Sequence, residues 1–200
     1  DLATFALAAT ALFFIHIPEP TAPESAAGPT TLWQDLRVGI GFLMANTGLL
    51  ALLANTVIGN YLLNGSLEIT IPYVVTMTGS EVITGLVLTA MSVGAFTGGA
   101  IIATRANIRN RVQWMLVGNG VVALMYVVYG VVRMPWLLAA ALFLLMIPLP
   151  MGGALMQSLL QTRVPSHVQG RIFAIYAQVG FVGSTASFLS IGPLVDRVLE

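Results

Sequence analysis

QSLLQTRVPSHVQGR, residues 157–171, is a polar stretch set between two apolar ones. An apolar run from Trp136 to Met156 precedes it, and the chain turns apolar again at Ile172. The stretch itself holds two Arg, one His, a Pro and a Gly. An apolar segment of ~20 residues is long enough to cross a bilayer as a helix. Pro165 lacks an N–H and clashes with the preceding turn, so it ends or bends a helix. Residues 157–171 therefore read as a short polar hairpin between two membrane-spanning helices, and that reading sets the fold class for the chain.

Composition agrees. Of the 200 residues, 57% are hydrophobic and 8% charged, with mean hydropathy +0.90. A soluble domain carries roughly 25% charged residues. Five apolar runs are expected to span, at about 48–72, 82–104, 112–132, 136–160 and 172–194. In hydrocarbon only helices and closed barrels satisfy the backbone. The runs lack the strict alternation of barrel strands, so the expected fold is an all-α helical bundle. Residues 1–15 read as the end of a helix begun upstream, and 16–31 as a Pro-, Ala-, Ser- and Thr-rich linker. Leu32, Trp33, Leu36, Ile40 and Leu43 then recur at helical spacing, which predicts an interfacial amphipathic helix over 32–46. The first residue is Asp and no charged n-region precedes the first apolar run, so the chain reads as an internal fragment.

Several functions are disfavoured. Net charge is zero, and no basic patch of the kind nucleic acids need is present. There is no Cys, and the two His, His16 and His167, lie far apart, whereas a structural zinc site takes about four ligands. No Walker-type phosphate loop, nucleophile elbow or paired Asp cluster appears, so neither an enzyme nor a cofactor is expected.

All eight basic residues are Arg. If the linker is cytoplasmic, Arg37, Arg105, Arg109, Arg111, Arg163 and Arg171 fall inside, and Arg133 and Arg197 outside. Cytoplasmic loops carry the Arg/Lys excess, so this orientation is expected, in a multi-pass protein of the inner or plasma membrane.

IPLP (147–150) and MGG (151–153), a Gln-rich helix end and then VPSHVQGR (164–171) resemble the loop between the tenth and eleventh helices of major facilitator superfamily transporters. The resemblance is nearest to the macrolide-efflux and siderophore-exporter branch. GPLVDR at 192–197 resembles that family's GPLADR. GGAIIATRANIRNR at 98–111 sits where the second half repeats a Gly-x-x-x-Asp-Arg loop, but here the Asp is missing. In family terms the chain would be the end of helix 6, the central loop and helices 7–11. A first half of the same protein and a twelfth helix would complete it.

Candidate residues follow. Asn46, Asn60, Asn64 and Glu68 fall on one stripe of the first span, with Asn55 on the other side. Polar groups in a membrane are expected to face the bundle or a cavity. Glu68 is a candidate for proton coupling, or else a hydrated residue near the outer surface. Ser92 lies on a helix whose Gly94 and Gly98 make a small-xxx-small pair, suited to close packing or to a smooth wall. Pro148 and Pro150, followed by Gly152 and Gly153, predict a kink, whose freed carbonyls could line a cavity. Gln157, Gln161 and Gln178 complete the pathway candidates. Arg105, Arg109, Arg111, Arg163, Gly170 and Arg171 are the gating-loop candidates.

The resemblance implies a secondary transporter working by alternating access. Its partners would be the bilayer, its missing half and a small molecule, drug-like or siderophore-like, expelled by proton antiport. A metabolite uptake permease and a non-transporting membrane scaffold subunit are the alternatives.

Overall fold

The structure, a computed structural model, describes residues 2–14, 31–105, 108 and 110–199. Arg109 and all of the expected linker except Thr31 lie outside the described residues, as do the side chains of Asp196 and Arg197. The elements are α1 (Leu2–Phe14), α2 (Leu32–Ala45), α3 (Thr47–Thr78), α4 (Glu81–Thr104), α5 (Arg111–Val131), α6 (Pro135–Met146), α7 (Pro148–Arg163) and α8 (Ser166–Leu199). No strand occurs among the described residues.

Asp1–Gln34 and Asp35–Glu200 are separate compact units. In the first, α1 is an apolar helix whose Thr10 hydroxyl donates back to the Ala6 carbonyl at 2.6 Å. Thr31 and Gln34 exchange hydrogen bonds at 3.1 and 3.4 Å, the reciprocal capping that starts α2.

In the second unit, α4, α5, the α6–α7 pair over Pro135–Arg163 and α8 over Ser166–Pro193 are long and apolar enough to cross a membrane. The chain is a helical membrane bundle by that measure. The span expected at 48–72 behaves differently. α3 runs on through Pro72 to Thr78, 32 residues or ~48 Å at 1.5 Å per residue. It qualifies only together with α2, from which it is bent by 107°. Asn55, Asn60, Asn64, Ser66 and Glu68 dilute its hydropathy. The bend falls at Asn46, which caps α3 from outside the helix and donates from Nδ2 to the Phe42 carbonyl at 2.8 Å. Asn46 therefore leaves the stripe of Asn60, Asn64 and Glu68 that helical spacing predicts.

The turn from α3 to α4 lies where the sequence places it. Gly79 has φ +63°, a left-handed conformation open to glycine, and the Ser80 side chain accepts from the Ile83 N–H at 3.4 Å. The hairpin at 157–171 is narrower than expected. α7 stays helical to Arg163 and α8 begins at Ser166, leaving Val164 and Pro165 between them. Val164 and Val168 are both buried with Leu160 and Ile172, so packing draws the loop's ends into helix. The run expected at 136–160 is two helices, broken at Ile147 before Pro148.

α3 packs chiefly on α8, α4 on α6, and α5 on α6 and α7. α4 approaches the end of α6 closely. A Cβ at Gly94 would overlap the carbonyl oxygen of Phe143, and one at Gly98 that of Ile147. The predicted small-xxx-small pair is thus a packing surface, with Cα–H groups against carbonyls. Gly183 of α8 similarly faces the Val57 carbonyl of α3. One core gathers Leu43, Leu49, Leu160, Val164, Ile172 and Tyr176, and another Val74, Val87, Leu138 and Leu142. Much of the outer helix surface is apolar and exposed, including Leu116, Val127, Phe181 and Leu189. That is the surface a bilayer would cover.

Candidate functional site

A cavity of about 890 Å³ opens between α3, α5, α7 and α8. The α6–α7 break forms part of its wall through Leu144, Ile147, Pro148 and Leu149. Pro148 and Pro150 have no N–H, so the carbonyls of Leu144 and Met146 lack their usual i+4 donors. Irregular backbone is tolerated at membrane depth where protein or a cavity surrounds it. Here the break meets both conditions: Gly98 and Pro150 pack together on one side, and the cavity lies on the other.

α3 and α5 are not a closely packed pair. Long polar side chains bridge the space between them. Asn119 Nδ2 donates to Asn55 Oδ1 at 3.0 Å, Tyr126 Oη to the Leu63 carbonyl at 3.4 Å, and Tyr129 and Thr70 share a hydroxyl contact at 3.2 Å. Asn55 and Asn119 also line a second cavity of about 830 Å³, set between the α2–α3 elbow, the start of α5 and Arg163. The Asn55–Asn119 bond therefore belongs to the walls of both spaces.

The face of α3 toward α8 carries its own polar network. Asn60 donates to the Thr56 carbonyl at 2.8 Å, and Asn64 to the Asn60 carbonyl at 2.8 Å and to Ser184 Oγ at 3.1 Å. Ser184 reaches Asn60 Oδ1 at 3.4 Å, and the Ser187 hydroxyl donates to the Tyr61 carbonyl. The amides thus satisfy one another within the bundle, as buried polar groups in lipid must. Asn60 also reaches the cavity wall, whereas Asn64 does not.

The other candidates divide. Gln157 lines the cavity. Gln161 does not, and its carbonyl accepts from Gln169 Nε2 at 3.3 Å, which ties α7 to the start of α8. Glu68, Ser92 and Gln178 are exposed and away from the cavity. Ser92 spends its hydroxyl on the Leu88 carbonyl at 3.0 Å.

The basic residues gather where α4 ends, α5 begins, α7 ends and α8 begins. Arg105 lies 5.7 Å from the Trp114 ring centroid, and both line the cavity. Arg111 donates to the Ser158 carbonyl at 3.3 Å and to Thr162 Oγ1 at 3.0 Å, pinning α5 to α7. Arg163 lines the second cavity, and Gly170 is exposed with open space where a Cβ would stand. Arg171 pairs with Asp35 of α2 at 2.7 Å. Next to that pair, a Cβ on Gly39 would touch Ile175.

Reading by helical spacing missed three of these residues. Asn55 falls off the polar stripe, Asn119 is a lone amide in an apolar run, and Asp35 reads as a surface-helix residue. The signal for the first two was their cost: an amide in a span needs a partner, and each helix offers one at matching depth. No family, curated protein or solved structure matches the chain.

Proposed function

We propose that this chain is the second-half bundle of a major facilitator-type secondary transporter in the cell membrane. It would expel a drug-like or siderophore-like small molecule by alternating access, coupled to protons. The observation that carries this reading is the cavity walled by a broken helix. It combines amides, thioethers and aromatic rings with irregular backbone, the composition of a site that binds an amphiphile without transforming it. The reading calls for a first-half bundle as partner. It places the Arg105, Arg111, Arg163 and Arg171 end in the cytoplasm, by the excess of Arg there. Glu68 stands ~31 Å along α3 from its start at 1.5 Å per residue, and is the carboxylate to examine for coupling.

Inverted membrane vesicles carrying the full-length protein should accumulate amphiphilic compounds when a pH gradient is imposed, and should lose them when it is collapsed. Folded protein that moves none of a drug and siderophore panel would end the transport reading and leave the scaffold alternative.

Arg171 gives a second expectation. Each partner of its pair with Asp35 is about one-third exposed, but the Asp35 Oδ1 that Arg171 meets is buried and has no other partner among the described residues. Arg171→Ala should therefore lower the melting temperature by a few degrees, the cost of leaving that oxygen unpaired being about 1–3 kcal/mol. Transport should fall several-fold with substrate binding within about threefold, because charge pairs at helix ends bias one conformation over another. The reversed pair, Asp35→Arg with Arg171→Asp, should restore transport. A loss of binding with transport steps intact would refute the gating role.

A further inference from the structure

The charged lining of the 890 Å³ cavity is one-sided. Four carboxamides, those of Asn55, Asn60, Asn119 and Gln157, face it together with the guanidinium of Arg105, and among the described residues no carboxylate does. Asp35 is engaged with Arg171, and Glu68 and Glu81 lie outside the lining. No carboxylate pairs with Arg105 among the described residues. The residues that follow it, ANIRNR at 106–111, add two further Arg and no acid. Arg105 is held by its place at the end of α4, where its N–H bonds the Ile102 carbonyl at 3.2 Å, and by the Trp114 ring.

Two physical consequences follow. A cation entering this space would meet the like charge of Arg105, which is exposed at the cavity wall, and would be repelled by it. An oxyanion would meet a guanidinium able to grip it with two charge-assisted hydrogen bonds. Met115, Met151, Met156 and Phe173 also line the space with flexible thioethers and a ring, surfaces that adapt to differing apolar shapes.

We propose that the cavity takes an anionic amphiphile, an apolar molecule bearing one carboxylate or comparable oxyanion, with its acidic group on Arg105 and its body along α5 and α7. Cationic amphiphiles of equal size are rejected. The inference rests on the cavity being the binding site of the function proposed above, and narrows its substrate class.

The chain has three Trp, namely Trp33, Trp114 and Trp136. Trp33→Phe with Trp136→Phe leaves Trp114 as the reporter in the cavity wall. The protein is placed in phosphatidylcholine nanodiscs. Energy transfer from Trp114 is then titrated with dansyl-undecanoic acid, its methyl ester and the dansyl alkylamine of equal length. The acid should bind about tenfold more tightly than the ester and the amine more weakly than either, with the acid's advantage shrinking as salt rises. Arg105→Gln should bring the acid to the level of the ester and leave the ester unchanged, which also shows that the variant is folded. Equal affinity for acid and ester in the unmodified protein would overturn the proposal whether or not the variant folds, as would tighter binding of the amine. If none of the three binds, the cavity reading falls with it. Selective acid binding without vesicle transport would remove the transport function and keep the anion site. Displacement of the acid by added phosphatidylglycerol would support the site and identify its anion as a lipid headgroup. Failure to displace would support a free amphiphile.

Discussion

Gly98→Val should cost about 3 kcal/mol or more and lower the melting temperature of the detergent-solubilised protein by about 10 °C. The carbonyl oxygen of Ile147 occupies the space where the new Cβ would go, and Pro150 Cγ stands 3.0 Å from it. A flexible side chain could swing aside. A backbone carbonyl at a proline-broken helix cannot move without shifting α6 and α7 together. The close Cα–H contacts to that carbonyl, about 0.5–1 kcal/mol each, would be lost as well. Gly94→Val should behave similarly, since the Phe143 carbonyl fills the same role one turn away. Gly99→Val is the control: its Cβ would meet nothing within 4 Å. Comparable losses in all three variants would mean that the effect comes from helix propensity or lipid packing, and that the α4–α6 contact is not as close as described.

Gly152→Trp should reduce binding and transport at least twentyfold while leaving the melting temperature within a few degrees. Gly152 lines the cavity, and a Cβ there would meet nothing within 4 Å. The indole would therefore project into free space without displacing a neighbour. Replacing a helical glycine also removes its backbone-entropy penalty, roughly 0.5–1 kcal/mol, so stability should not suffer. Gly99→Trp carries the same bulk onto a position that is equally open but outside the cavity lining, and it should leave function intact. If Gly152→Trp transports and binds normally, substrate passes elsewhere and the cavity is a packing defect between helices.

The α4 glycines also show how far local reading reaches. The spacing of Gly94 and Gly98 announces a close helix approach, because small residues one turn apart form a groove whatever the partner is. The partner is not in the spacing. That the groove receives the carbonyls of a proline-broken turn follows only once α6 and α7 are placed against α4. The kink itself was legible, since Pro148 and Pro150 remove donors in any context. A cavity wall was one use the sequence offered for it, and which face the bundle encloses is what places the break against the cavity.

The amides of α3 divide in the same way. Helical spacing groups Asn60 with Asn64, and the structure sets both toward α8, where Ser184 answers them. The same spacing assigns Asn46 to that stripe and Asn55 to the far side, away from it. The 107° bend removes Asn46 from the helix, and α5 supplies Asn119 to Asn55. Period alone could find neither event: a bend resets the register, and a hydrogen bond across 64 residues of chain depends on a second helix at the right depth.

Residue type and order by themselves determined that the chain is helical and apolar enough for a bilayer, where its turns fall and at which end its Arg collect. These follow from hydropathy, from the missing N–H of proline and from the cost of charge in lipid, all properties of short stretches. The tertiary structure alone decided that α3 leans on α8, that Asp35 meets Arg171, and that the space between α3, α5, α7 and α8 is lined, among the described residues, by four amides and one guanidinium with no acid. Each of these depends on how far apart separately folded helices come to rest. That separation is set by contacts between residues distant in sequence.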